Sequence, residues 1–572
     1  MGPLDMTSRL SLRAVTLVLA LAASPVAAAD KGFAGPYLAA RQAALASDYS
    51  EAAAYYRRAI AANPGDLALM ESAVVALIGK GDIKGAAEVA ELHEEAGGDN
   101  QIVDLVLEAA EIAQGGFARA AQASDDSVGL APLLGGLTEA WALLGEGRMS
   151  DATAAFDKVA AIEDFASFAQ YHRALALATV GDFEGANAIL SGETYGPLIL
   201  SARGIEAHAQ ILAQLERTDD AIELLEETTA GGFSAELEDL KAKLRAGETP
   251  EYDFVTSARE GVAEVLFNLA GVLNGRTAPE HVLIYARIAH YLRPDHAPAA
   301  LMSAELLEDM SQFDLAAAAY GAISREDPSY VLAELGRANT LYSAERQDAA
   351  VEVLTALAKS HGDIAMVHTT LGDTLSRTGD DDGAIAAYST ALELNGIGNR
   401  VNWRIFYARG IVHERMDNFI EMERDFRTAL ELQPNQPDIL NYLGYSLVEQ
   451  RIKLDEALEM IQTAVQENPD SGYITDSLGW IYYRLGRFEE AVEPMERAVE
   501  LLPVDPIVND HLGDVYWMVG REREAEFQWK RALSFEPEEA EAERIRDKLK
   551  RGLDAVLADE ESAAVETQTA ND

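Results

Sequence analysis

The 572-residue chain has no cysteine. Disulfides, zinc–thiolate sites and a cysteine nucleophile are therefore excluded, and so is the lipid-bearing cysteine that would tie a lipoprotein to a membrane. Basic residues are scarce: 46 Lys and Arg stand against 96 Asp and Glu, a formal charge of −50. That excess makes nucleic acid and anionic membrane surfaces poor partners, favours basic or polar ones and promotes solubility. Beyond the first residues no apolar run is long enough to cross a bilayer as a helix, so no direct membrane anchor is expected.

Signatures of catalysis are also missing. His93-Glu94-Glu95 and His413-Glu414-Arg415 begin like a zinc-protease helix, but the position four residues after each His holds Gly97 or Asp417. Neither a phosphate-cradling glycine loop nor a Gly-x-Ser-x-Gly elbow occurs, since Ser446 is followed two residues later by Val448. Asp510, His511 and Asp514 come nearest to a metal cluster. The two Asp share a helix face and His511 points elsewhere, so a site there would need ligands from outside its own helix. No cofactor or metal is expected, and the chain reads as a non-enzyme.

What is present begins with an export signal. Arg9 and Arg13 form a basic end, Ala14 to Ala23 an apolar run, and Ala27-Ala28-Ala29 a small-residue cleavage site. The apolar run is about half the ~20 residues a membrane helix needs before Ser24 and Pro25 interrupt it. Residues 1–29 are expected to be a cleaved signal peptide, with the mature chain starting at Asp30 in the periplasm.

From Pro437 to Glu539 a register recurs. Leu443-Gly444, Leu478-Gly479 and Leu512-Gly513 are spaced 35 and 34 residues apart. Behind them come Tyr482 and Tyr516, then Ala457, Ala491 and Ala525, then Ala464, Ala498 and Ala532, then Pro469, Pro503 and Pro537. A register kept through so many positions marks a repeat array. Small residues let two helices approach while Leu443, Leu478, Leu512 and Tyr516 fill the space beside them. Gly486 and Gly520 fall where the first helix must stop, and each proline closes the second.

Leu-Gly, a Tyr three residues on, two later Ala and a closing Pro resemble the tetratricopeptide repeat family. Two departures are visible. The family's early Trp is replaced by Leu440, Thr475 and Asn509, and its aromatic after the first Ala survives only as Trp529, with Ile461 and Met495 in the other units. The resemblance implies an all-α solenoid of stacked antiparallel helix pairs. The wording NYLGYSL, ITDSLGWIYYRLGRFEEA and HLGDVYW further resembles bacterial envelope adaptors that present substrates to a periplasmic carboxyl-terminal processing protease. Those adaptors are lipoproteins, so this cysteine-free chain should be soluble or held by a partner.

A weaker form of the register runs through Ala52, Ala86, Ala120, Ala152, Ala186 and Ala221, giving degenerate repeats over residues 30–244. Arg245 to Phe254 combines Gly, Pro and charge without helical period, so residues 245–262 read as a boundary. The array resumes over residues 263–539, with Ala270, Ala304, Ala338, Gly372, Gly410, Gly444, Gly479 and Gly513 in one equivalent position. Ile545, Leu549 and Leu553 predict a capping helix over residues 540–553, and the acidic, small residues 554–572 an unstructured tail.

In the resembled family the first helix of each pair lines the concave wall. By resemblance that wall carries Tyr407, Tyr445, Tyr473, Asp476, Trp480, Tyr483, Asp510, Asp514 and Trp517. Each aromatic could line a groove or pack between units. Relatives that grip a terminal carboxylate need Lys and Asn there, and Asp476 and Asp510 disfavour that ligand. The expected function is a non-catalytic scaffold binding other envelope proteins, sharpened by resemblance to an adaptor for a periplasmic protease and its substrates. The alternatives are a structural scaffold of an envelope assembly and an enzyme with an unrecognised site.

Overall fold

The computed structural model describes residues 33–122, 131–229, 234–396, 398–560 and 562. The expected signal peptide, residues 1–29, lies outside them. Every regular element among the described residues is helical, as the repeat pattern predicts. The chain divides into two compact units, Met1–Arg346 and Gln347–Asp572.

Unit one contains α1 (Ala34–Leu45), α2 (Tyr49–Ala62), α3 (Leu67–Lys80), α4 (Ile83–Glu95), α5 (Gln101–Ala113), α6 (Ala131–Gly145), α7 (Met149–Ala160), α8 (Ala166–Thr179) and α9 (Phe183–Leu190). It continues with α10 (Ala202–Gln214), α11 (Thr218–Thr229), α12 (Ala235–Arg245), α13 (Ala258–Leu273), α14 (Pro279–Leu292), α15 (Ala297–Asp309), α16 (Phe313–Tyr320) and α17 (Tyr330–Ser343). Several helices start on a side-chain cap: Asp48, Asp66, Asp82 and Asp182 each accept the amide of the residue three positions on. Ala52, Ala86, Ala152, Ala186 and Ala221 are fully buried on α2, α4, α7, α9 and α11. Ala120 is buried in a short 3-10 turn instead.

The segment expected to separate two blocks, residues 245–262, lies inside unit one. Gln210 Nε2 donates to Asp253 Oδ1 at 2.8 Å and Gln214 Nε2 to the Pro250 carbonyl at 2.7 Å. Gln214 thus meets a backbone carbonyl, and Gln210 Oε1 accepts the Asp253 amide at 3.2 Å, groups that the missing helical period leaves unpaired. Phe254 and Val255 are buried beside them. α13 then packs on α6, where fully buried Trp141 sits against Gly261; a Cβ on that glycine would come within 2.1 Å of the indole. α14 packs on α3 and α5, and the Tyr49 hydroxyl on α2 reaches Met310 Sδ at 3.3 Å. The later helices of unit one therefore fold back across the earlier ones.

Unit two contains α18 (Gln347–Ser360), α19 (Ala365–Thr378), α20 (Asp381–Asn395), α21 (Trp403–Arg415), α22 (Phe419–Leu432), α23 (Pro437–Glu449) and α24 (Leu454–Glu467). It ends with α25 (Gly472–Arg484), α26 (Phe488–Leu501), α27 (Pro506–Met518), α28 (Glu522–Ser534) and α29 (Glu539–Arg551). Its helices pair as α19 with α20, α21 with α22, α23 with α24, α25 with α26 and α27 with α28. The Gly–large pairing fixes each hairpin: a Cβ on Gly444, Gly479 or Gly513 would lie 2.7, 2.5 or 2.4 Å from Ile461, Met495 or Trp529. Ala457, Ala491 and Ala525 are fully buried at the same seams. Gly486 and Gly520 adopt φ of 73° and 77° just past α25 and α27, the left-handed turn that ends a helix.

Candidate functional site

The expected wall is built from one register. In α25, Tyr473, Asp476, Trp480 and Tyr483 stand six and three residues before, and one and four after, Gly479. Asp510, Asp514 and Trp517 hold the same places around Gly513, Tyr445 follows Gly444, and Tyr407 precedes Gly410 by three. Steps of three and four put these residues on one side of the helix, flanking the glycine that meets the second helix. α23, α25 and α27 lie in succession, so the wall is continuous across them.

Its members differ in what they can offer. Trp480 is 8% exposed, stacked between Tyr483 and His511 with centroids 4.8 and 4.0 Å away, and its Nε1 donates to Glu449 at 2.9 Å. It packs between repeats. His511 does not join Asp510 and Asp514: its Nδ1 lies 2.9 Å from Asp476 of the preceding first helix. Burial opposes the imidazolium, but Asp476, with Asp510 and Asp514, outweighs it and raises the His511 pKa. Tyr407 makes an edge contact with Tyr442 at 5.8 Å. Tyr407, Tyr445 and Tyr483 are half-buried, and burial pushes their phenols up. Tyr473 is 61% exposed and reaches outward from the first turn of α25.

At the end of the wall the chain supplies its own counter-ions. Lys548 Nζ lies 2.7 Å from Asp510 Oδ2 and 2.5 Å from Asp514 Oδ1, and Trp529 Nε1 donates to Asp514 at 2.9 Å. Arg544 approaches both carboxylates at 3.5 to 3.6 Å. Burial and the neighbouring Asp514 raise the Asp510 pKa against the pull of Lys548. Asp510 and Asp514 of the expected wall are therefore paired within the chain, by Lys548 and Trp529. The pairing was foreshadowed by spacing, because Asp510/Asp514 and Arg544/Lys548 both stand four residues apart. Nor is residue 554 the start of an unstructured tail. Residues 553–560 are helical, Val556 is buried, Asp554 accepts from Trp517 Nε1 at 3.2 Å and Glu560 from Arg544 at 2.8 Å. Apolar Leu553, Val556 and Leu557 provide the anchoring.

Unit one holds a feature that sequence reasoning missed, a cavity of about 810 Å³ lined by α8, residues 198–201, α10, α12, α13 and α15. Beside it, fully buried Glu264 accepts from Arg203 Nη2 at 2.8 Å and from the Tyr171 hydroxyl at 3.2 Å, with His296 Nε2 also 3.2 Å away. Burial alone would push this carboxyl up, but Arg203 and His296 hold it well below the usual range. Glu206, in the cavity wall, is pushed up to about 7 by burial despite Arg203 at 3.7 Å. These residues come from helices far apart in the chain and share no period.

Among the described residues no group of three or more His, Cys, Asp or Glu is placed to hold a metal ion. Among the same residues no helix is long and apolar enough to cross a membrane.

Family models for the tetratricopeptide repeat match residues 301–364, 367–396 and 450–506. The chain is 29% identical over 159 residues to the TPR repeat-containing protein PA4667 of Pseudomonas aeruginosa, which covers 28% of this chain and 26% of that protein. The solved structures it is similar to include YrrB, a TPR protein with an unusual peptide-binding site, at 22% identity, 33% and 95% coverage of this chain and that one, and a TM-score of 0.28. They also include the APC/C hetero-tetramer Cut9-Hcn1, at 14% identity, 95% and 99% coverage and a TM-score of 0.36. The matched segments carry the tetratricopeptide repeat pattern, and around Gly444, Gly479 and Gly513 the described residues fold as the small–large helical hairpins of an all-α repeat fold.

Proposed function

We propose that this chain is a non-catalytic scaffold of the bacterial cell envelope that binds other proteins through the first-helix wall of unit two. Tetratricopeptide repeats mediate protein–protein interaction. The observation that carries the reading here is Tyr473, a large aromatic 61% exposed on the wall, next to a packed platform of Trp480, Tyr483 and His511. An aromatic anchor on a rigid support gives contact area at low entropic cost. The export signal motivates the periplasmic location, and the resemblance motivates the sharper role of presenting substrates to a periplasmic protease.

Affinity capture from periplasmic extract separates the readings. A carboxyl-terminal processing protease recovered with sub-stoichiometric substrates, and substrate cleavage accelerated by the purified chain, support the adaptor. Recovery of fixed-ratio envelope components without protease sinks the adaptor role and favours a structural scaffold. Recovery of the chain in the cytoplasm with Met1 intact would defeat the envelope reading altogether.

A further inference from the structure

The cavity of unit one has its own recognition chemistry. Its interior is apolar, with Phe168, Leu237, Phe267 and Leu301 among the lining side chains. On its lip Ile199 is fully exposed, at 102%. An isoleucine held entirely in water beside an apolar hollow gains by being covered. The lip is irregular backbone, and Leu198, Ile199 and Leu200 make no backbone–backbone hydrogen bond with any described residue. Such a row of open donors and acceptors suits an extended polypeptide, which can pair with it while its side chains enter the hollow.

Charge selects the occupant further. Glu206, Glu236 and Glu305 all line the cavity. Arg203, the lining cation nearest to Glu206, is engaged by Glu264 at 2.8 Å, which leaves Arg276 on the rim as the other lining cation. Three lining carboxylates against two lining guanidiniums, one of them engaged by Glu264, favour an incoming positive group. Glu206 has its nearest cation, Arg203, at 3.7 Å, and that guanidinium is held more closely by Glu264 at 2.8 Å.

We propose that this cavity binds an extended segment of a partner protein, whose apolar side chains fill the hollow against Ile199 and Phe267 and whose Lys or Arg pairs with Glu206. The proposal rests on the protein-binding reading above, but not on the wall of unit two.

The test uses the full chain and two fluorescein-labelled ten-residue peptides of alternating Leu and Val, one with a central Lys and the other with Glu in its place, followed by fluorescence anisotropy. The Lys peptide should bind the wild type more tightly than the Glu peptide. Ile199→Asp should weaken it by roughly tenfold or more, with helical circular dichroism unchanged because that side chain is fully exposed. Glu206→Gln should remove most of the preference for Lys over Glu. The proposal is overturned if both variants bind as the wild type does, or if octylammonium binds while neither peptide does. Loss of binding in Tyr473→Ala alone would place the peptide on the wall of unit two, which defeats this inference and leaves the proposed function standing. If no peptide binds and no envelope protein is captured, both fail.

Discussion

Lys548 places its Nζ 2.5 Å from Asp514 Oδ1, and neither side chain reaches solvent. The pair ties the last helix to the face that α27 would otherwise present, and Asp510 shares the same ammonium at 2.7 Å. Burying an ion pair is costly, but removing one partner is worse because the other charge stays behind. Lys548→Ala should therefore destabilise unit two by about 3–5 kcal/mol, read as a drop in urea midpoint. Lys548→Met combined with Asp514→Asn should recover part of that loss. A Lys548→Ala midpoint equal to wild type would show that the pair contributes nothing.

Ala491 is fully buried at the seam between α25 and α26. Ala491→Arg forces a charge into that seam and should cost about 3 kcal/mol or more. Because each repeat contacts chiefly its neighbours, hydrogen exchange should accelerate first in α23 to α28 while unit one keeps its protection. Uniform loss of protection through both units would contradict this.

His511 gives unit two a pH dependence of known sign. Its folded pKa is raised, so the imidazolium contact with Asp476 is fully present below the unfolded value near 6.5 and is lost as pH rises through the folded value. Stability of unit two should fall over that window, and His511→Gln should flatten the profile. The test is a set of thermal melts from pH 6 upward on both proteins, and a wild-type curve with no steeper decline than the variant's would refute it.

Trp480 and Tyr473 occupy the same face with opposite roles. Trp480→Ala should cost about 3–5 kcal/mol, because the ring is packed between Tyr483 and His511. Tyr473→Ala should stay within about 0.5 kcal/mol of wild type while weakening partner binding. Equal destabilisation by the two would remove the distinction between packing and contact residues.

The contrast between units explains what was legible in the sequence. Gly444, Gly479 and Gly513 with Ile461, Met495 and Trp529 form local small–large pairs within one repeat, so the period exposes them. The aromatic face was legible for the same reason, but whether each ring faced solvent was not, because Trp480 is covered by His511 of the next repeat's first helix. The compensation of Asp510 and Asp514 left a trace in the matching four-residue spacing of Arg544 and Lys548, but that spacing does not say that the final helix lies against α27. The fold-back of unit one left no trace: Tyr171 meets Glu264 across 93 residues, and such a contact follows no repeat register. The cavity is a by-product of that fold-back.

The most direct measurement is site-specific photocrosslinking in the periplasm, with a photoreactive amino acid at Tyr473 on a first helix or at Phe527, 60% exposed on second helix α28. Residue 473 should give discrete cross-linked envelope proteins that disappear when unlabelled chain competes, and residue 527 should give none of them. The same products from both positions, or no product from residue 473, would contradict a binding scaffold that works through the first-helix wall.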